Sequence, residues 1–357
     1  MRPTVSLVMI VKDEERFINR CLSSAASYVD ELIVVDTGSS DQTMSIAASY
    51  GAKLFDYPWS GDFAAARNFA LDQSSCDWCL VLDADEYIIN DCREAFQEFI
   101  AQERAVGIIK RIDAFEGTDG INEEQIYIGR LFPSECRYTG AIHEQLITNL
   151  PAKRVGIDIY HDGYLGQTKS SRNIPILVKM IEAHPQDPYF HYQIAKEYRG
   201  LKEHDQAYSH LNQAYQNITR RERYAPSLIV NYLYAIIAAG RYEEGMAVIE
   251  SEQYFLNAYP DFHFVSALFI LELVSSDPGK YSANLPLIEM LYKRALQLGD
   301  QGQEGSVTGT GSFAAHHNLG VYYETTGQMQ LALEQYRLAA AYDYVPSIQR
   351  LNELSHA

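Results

Sequence analysis

Apolar residues in the first third of the chain come in short unbroken runs, separated by stretches in which they recur every three or four positions. The runs at 5–11, 32–35, 52–55, 78–82 and 106–109 have the length and the Val, Ile and Leu content of buried strands. Between them, 14–27, 41–49, 63–73 and 92–102 carry helical spacing. Strand and helix alternating in this way over roughly the first 110 residues predict a parallel α/β sheet.

From about Asn173 onward the strand signal stops, and Ala, Leu, Tyr, Glu and Gln follow a helical period. Leu319, Gly320, Tyr323, Gly327, Ala332, Tyr336 and Ala339 sit at the spacings of a tetratricopeptide-type helix pair, with Pro346 soon after. Ile194, Ala195, Tyr198, Ala207, Leu211 and Ala214 repeat the template, and Tyr232, Leu233, Ile236, Gly240, Gly245 and Ile249 repeat it more loosely. Residues 262–298 are helical in character but off the template, and the Gly-rich stretch 299–312 reads as a mobile loop. The expected division is an α/β domain over 1–165, a linker and connecting helix over 166–187, and helical repeats over 188–357.

A chain of 357 residues exceeds one ordinary hydrophobic core, and 47% hydrophobic with 21% charged residues excludes a disordered protein. A net charge of −18 excludes a protein whose main work is gripping a nucleic-acid backbone, which needs clustered Lys and Arg, so no nucleic-acid partner is expected. The same charge leaves room for a single diphosphate bound through a metal ion. The first apolar run is too short to span a bilayer and meets Lys12-Asp13-Glu14-Glu15-Arg16 at once, so neither a membrane span nor a signal peptide is expected, and the expected location is cytoplasmic. Cys21, Cys76, Cys79, Cys92 and Cys136 are an odd number, and the lone Cys76–Cys79 pair has no second half to complete a zinc site. They read as reduced, structural thiols.

Parallel sheets present ligand-binding residues just beyond the carboxyl ends of their strands. Polar clusters fall there: Lys12-Asp13-Glu14 after the first run, Asp36-Thr37-Gly38-Ser39-Ser40-Asp41 after the second, and Asp83-Ala84-Asp85-Glu86 after the fourth. Two carboxylates at a strand end suit a hard divalent cation shared with substrate phosphates, although an acidic tripeptide alone equally fits a solvated turn. Ser40 or Asp41 suits the cap of the next helix. Asp36 is not needed for a cap, and its carboxylate suits a hydrogen bond from a nucleobase imide.

Taken together, the segment from Ser6 to Glu15, the block Val34-Val35-Asp36-Thr37-Gly38-Ser39-Ser40-Asp41 and the block Leu80-Val81-Leu82-Asp83-Ala84-Asp85-Glu86 resemble the opening of family 2 glycosyltransferases with the GT-A fold. The attached repeats resemble a bacterial subgroup that includes peptide S- and O-glycosyltransferases. The resemblance implies an α/β GT-A (Rossmann-like) catalytic domain followed by an all-α tetratricopeptide-like domain. It implies a nucleotide-sugar donor, commonly uridine diphosphate-linked, and Mn2+ or Mg2+ as cofactor. Val11, Lys12, Glu14 and Asp36 would then line the base, while Asp83, Ala84 and Asp85 would serve the ribose and the metal–diphosphate. His161, in Ile159-Tyr160-His161-Asp162-Gly163-Tyr164, would join Asp85 on the metal, and a neutral imidazole suits Mn2+ better than Mg2+.

Arg67, in Phe63-Ala64-Ala65-Ala66-Arg67-Asn68, resembles a further block of the subgroup and would meet a phosphate or ribose. An ordinary helical ion pair is the alternative. Glu144, in Gly140-Ala141-Ile142-His143-Glu144, is the candidate general base; His143 is the rival, with Glu144 orienting it, and a purely structural pair is the third option. The family's usual Glu-Asp or Asp-Asp acceptor motif is not present as such.

The expected activity is therefore inverting, metal-dependent transfer of a sugar to a peptide, protein or carbohydrate acceptor, with the repeats also offering a surface for homo-oligomers. The alternatives are an interaction protein with a degenerate catalytic head, and a sugar-nucleotide nucleotidyltransferase. The latter carries a Gly-rich basic loop where Lys12-Asp13-Glu14-Glu15 stands here.

Overall fold

A computed structural model describes residues 2–102, 104–117, 120–163, 170–301 and 305–355, so Tyr164 and the first part of the expected linker, 166–169, lie outside the described residues. The chain divides into two compact units, one of Met1–Glu116 with Glu123–Lys169 and one of Gly117–Asn122 with Ser170–Ala357.

The first unit is built on β1 (Val5–Val11), β2 (Glu31–Asp36), β3 (Lys53–Asp56), β4 (Trp78–Val81), β5 (Glu86–Ile88), β6 (Val106–Gly117), β7 (Gly120–Pro133), β8 (Arg137–Thr139), β9 (Gln145–Ile147) and β10 (Ala152–His161). Four helices accompany them: α1 (Ile18–Ala25), α2 (Thr43–Ser49), α3 (Phe63–Asp72) and α4 (Arg93–Ala101). The main sheet runs β3-β2-β1-β4-β7-β6-β10-β5, and β8 pairs with β9 separately. Period-two alternation places the core on both faces of β1. Leu7, Met9 and Val11 pack with Ile18, Cys21 and Leu22 of α1, whereas Val8 packs with Ala64, Ala70 and Leu71 of α3.

The first four strands in that order are parallel, as the alternation of strand and helix predicts. The sheet as a whole is mixed, because β7 runs antiparallel to β4 and β5 antiparallel to β10. The parallel arrangement expected for the first part of the chain holds for β1 to β4, and the antiparallel strands β5 and β7 each follow the preceding strand directly, with no crossover helix between. All five cysteines are free, four of them buried. Burial pushes the Cys79 thiol up to about 11, which suits an inert core residue.

The second unit contains α5 (Ser170–Ala183), α6 (Pro188–Gly200), α7 (His204–Asn217), α8 (Ala225–Ala238), α9 (Tyr242–Glu252), α10 (Pro260–Ser276), α11 (Pro278–Tyr281), α12 (Leu285–Leu298), α13 (Phe313–Thr325), α14 (Met329–Ala340) and α15 (Val345–Ser355). Most of the template residues, among them Ala195, Leu211, Leu233, Leu319 and Tyr336, form the buried sides of the helices, while Gly240 and Gly327 are exposed and turn the chain between helices. A side chain at Gly320 would lie 2.7 Å from the Tyr336 ring, and one at Gly245 2.2 Å from Phe269, so glycine sets how closely these helices approach. The off-template segment supplies α10 and α12, which pack against each other.

The expected mobile loop is instead tied down where it is described. Asp300 accepts hydrogen bonds from the Gly309 and Gly311 N–H groups (3.1 and 2.8 Å), and Asp261 accepts one from Val307 N–H at 2.8 Å. Composition alone does not reveal such long-range acceptors. Among the described residues, no helix is long and apolar enough to cross a membrane.

Candidate active site

Val11 and Asp36 are register partners, so β1 and β2 end side by side. At Gly38 the backbone takes φ +113°, which lets the chain turn so that Ser39 N–H donates to both Asp36 carboxylate oxygens (3.0 and 3.1 Å). The loop after β1 interlocks with this turn. Asp13 N–H donates to Ser39 Oγ at 2.9 Å, Ser40 N–H to Asp13 Oδ1 at 2.7 Å, and Glu14 N–H to Thr43 Oγ1 at 2.7 Å. Asp41 accepts from Glu15 N–H and Thr43 N–H (3.0 and 2.9 Å); the N-cap of α2 is Gln42, so Asp41 holds the first helical N–H from one position outside the expected cap. Val11 and Asp36 are buried, Glu14 is half-buried and Lys12 is exposed.

After β4 the chain enters a network of buried charge. Glu86 is fully buried, accepts the Asp83 N–H at 2.9 Å, and pairs with Arg111 and Arg130 at 2.8 Å each. Arg130 also reaches Asp83 Oδ2 at 2.9 Å, while Arg67 holds Asp83 Oδ1 at 2.7 Å. Burial opposes the charge on Asp83, yet the two guanidinium groups hold its carboxyl well below the usual range. Ala84 packs its side chain into the core, leaving only its backbone for a ligand.

Arg67 Nε binds Glu144, so this arginine joins α3, the end of β4 and the loop before β9. The helical ion-pair alternative is therefore replaced by a bridge across elements. Burial pushes the Glu144 carboxyl up, but Arg67 outweighs it and leaves the pKa lowered. Two further contacts fix that loop. Phe63 N–H donates to Ala141 O at 2.8 Å, and the Asn68 amide both donates to Tyr138 O and accepts its N–H (2.9 and 2.8 Å). His143 adopts φ +52°, a conformation that turns the chain between Ile142 and Glu144.

Sheet register then brings a distant residue to the acidic segment. His161 pairs with Glu86 across β10 and β5 and with Asp113 across β10 and β6. Its Nε2 lies 3.4 Å from Asp85 Oδ2, and its Nδ1 lies 2.9 Å from Asp113 Oδ1. Burial alone would depress the His161 pKa, but the two carboxylates raise it to about 9. Gly163 closes over Asp85 so tightly that a Cβ there would stand 1.9 Å from Oδ2.

An imidazole and a carboxylate this close can touch one divalent ion, and the close approach of Gly163 confines the carboxylate. Among the described residues no three His, Cys, Asp or Glu side chains are arranged to hold a metal ion together, so such an ion would draw its remaining ligands from water and substrate phosphate. The residue types fit a cation held jointly by protein and diphosphate.

The structure thus gathers the candidates into three groups: Val11, Lys12, Glu14 and Asp36 at the β1 and β2 ends, Arg67 with Asp83 and Glu144, and Asp85 with His161. Sequence reasoning missed Glu86, Arg111, Asp113, Arg130 and Gly163. Glu86 stood in the acidic motif itself, and Arg111 and Asp113 share one face of a strand by their spacing. Arg130 and Gly163 left no local signal.

Residues 6–150 match the family described as Glycosyl transferase family 2. The matched residues lie in the α/β unit, which is GT-A-like, and the unit that follows it in the chain is helical and tetratricopeptide-like. A TPR repeat-containing protein of Synechococcus elongatus is 53% identical over 98 residues, covering 28% of this chain and 24% of that one. The SPbeta prophage-derived glycosyltransferase SunS of Bacillus subtilis is 24% identical over 243 residues, 60% of this chain and 54% of its own length. An uncharacterized glycosyltransferase of Rickettsia typhi is 36% identical over 97 residues, 27% of this chain and 33% of its own length. The alignments therefore span about half or less of each relative.

Proposed function

We propose that this family 2 glycosyl transferase domain moves a sugar from a nucleotide-sugar donor, favouring a uridine diphosphate-linked one, to an acceptor hydroxyl or thiol with inversion at the anomeric carbon. The observation that carries the reading is the convergence of Asp85 and His161, 3.4 Å apart, with a glycine packed so closely on the carboxylate that no side chain fits between them. The family match supports the reaction class, and the names of the relatives agree with it.

In this reading the β1 segment and Asp36 receive the base. Asp85 and His161 would hold Mn2+ or Mg2+, which when bound supplies positive charge to the departing diphosphate. The acceptor oxygen or sulfur attacks the anomeric carbon, its proton passes to Glu144 or His143, and the bond to the diphosphate oxygen breaks with its electron pair. Arg67 ties Asp83 to Glu144 and so keeps the donor and proton-accepting sides in one frame. The repeats favour a peptide or protein acceptor, because stacked helix pairs hold extended chains; a carbohydrate is the other class.

The test is incubation of the full chain with a panel of nucleotide sugars and acceptors, with nucleoside diphosphate release as the readout. Release of uridine diphosphate that needs a divalent ion, and that disappears in Asp85→Ala without a change in melting, is the expected result. Metal-independent turnover, or wild-type turnover by Asp85→Ala, would overturn the proposal.

A further inference from the structure

Arg111 and Asp113 occupy one face of β6, and the parallel register places Asp113 directly beside His161. Asp113 Oδ1 accepts the His161 Nδ1–H at 2.9 Å, and Arg111 Nη2 donates to Asp113 Oδ2 at 2.9 Å. The same guanidinium donates through Nη1 to Glu86 at 2.8 Å, and the second Glu86 oxygen accepts the Asp83 N–H at 2.9 Å. One arginine therefore references both the backbone that carries Asp85 and the carboxylate that orients His161. None of these groups is exposed.

We propose that Arg111 and Asp113 are positioning residues that hold His161 so that Nε2 faces Asp85 as an ion ligand. The inference rests on the reading of Asp85 and His161 as the ion-binding pair. With Nδ1 committed as the donor to Asp113, the ring is fixed against rotation and Nε2 is the nitrogen that faces Asp85, where a cation would take the place of the Nε2 proton. Carboxylates behind ligating imidazoles typically contribute about 10–100-fold to metal affinity. Arg111 adds a second constraint, because a bidentate-capable guanidinium fixes the plane of the carboxylate it binds.

The experiment is Mn2+ titration of the full chain with uridine diphosphate present, read by the free Mn2+ signal in electron paramagnetic resonance, with melting measured alongside. Asp113→Ala is expected to weaken Mn2+ binding about 10–100-fold. Asp113→Asn, which keeps an oxygen able to accept the Nδ1–H, is expected to fall between Asp113→Ala and wild type. Wild-type affinity in Asp113→Ala, or equal losses in the two variants, overturns the positioning role. If Asp113→Ala does not fold, Arg111→Gln carries the test: a smaller loss is expected, and no loss overturns the inference. A wild-type protein that binds no Mn2+, or a His161→Ala variant that binds it normally, overturns the ion site and this inference with it, whereas normal wild-type binding with an indifferent Asp113→Ala overturns the inference alone.

Discussion

Gly163→Ala adds one methyl group at the point where the chain after β10 crosses Asp85. The new Cβ would stand 1.9 Å from Asp85 Oδ2, 2.6 Å from its Cγ and 2.8 Å from its Cβ. Ordinary contact begins near 3.4 Å, so one of the two must retreat by about 1.5 Å. Asp85 is 3% exposed and faces His161, which leaves its carboxylate little room to move. Gly163 does not occupy the left-handed region, so the effect is steric rather than conformational. Misplacing a reacting or ligating group by about 1 Å costs on the order of 10²-fold, and overpacking a tight site costs about 1–3 kcal/mol of stability. Calorimetric titration of uridine diphosphate with and without Mn2+ is the assay. The expected outcome is a loss of about 10²-fold confined to the Mn2+-dependent affinity, with a modest fall in melting temperature. Gly156→Ala is the control, since its Cβ would meet Ala95 at an ordinary 3.4 Å. Undiminished Mn2+-dependent affinity in Gly163→Ala would refute the view that the close approach of this glycine sets the position of Asp85 as an ion ligand.

Three further outcomes follow from the charge network and the repeats. Arg67→Met leaves Glu144 without its guanidinium partner and Asp83 with only Arg130, and is expected to cost about 3–5 kcal/mol in denaturant unfolding; Arg67→Lys should recover little, because one ammonium cannot replace the fork. A stability equal to wild type would show the bridge to be energetically neutral. Glu144→Gln should slow transfer to a hydroxyl by about 10²–10⁴-fold and transfer to a matched cysteine much less, since a thiol near pKa ~8.5 already supplies thiolate. Equal losses on both acceptors would assign Glu144 to holding Arg67 instead. Burial, aided by Asp300, pushes Asp261 up to about 7, so the folded state prefers the protonated acid. That preference favours folding fully below the unfolded pKa near 4 and is lost as pH rises through 7. Asp261→Asn should therefore flatten the fall in melting temperature between about pH 4 and pH 7, and an unchanged slope would show that Asp261 does not titrate there.

Much of the first unit was legible because buried parallel strands read as unbroken apolar runs, and their polar ends follow at once. The β1, β2 and β4 ends lie where those runs stop. The strands from β7 to β10 were not legible, since β8 and β9 are three residues each and β10 alternates burial on a half-covered face. In the second unit, small residues at close helix contacts betrayed the repeats. By contrast, α10 is buried nearly all round and so shows no amphipathic period for a template to match.

The amino-acid sequence by itself determined which side chains stand at the strand ends, because strand length, turn glycines and helix caps act over a few neighbouring residues. Gly38 makes the tight turn that its position implied. Only the tertiary structure decided which of those side chains meet. His161 reaches Asp85 and Asp113 through the register of β10 against β5 and β6, and Arg67 finds Asp83 and Glu144 across three elements rather than along its own helix. Register is a property of paired strands far apart in the chain, and a slip of one residue would turn every side chain to the opposite face, so no local pattern specifies it.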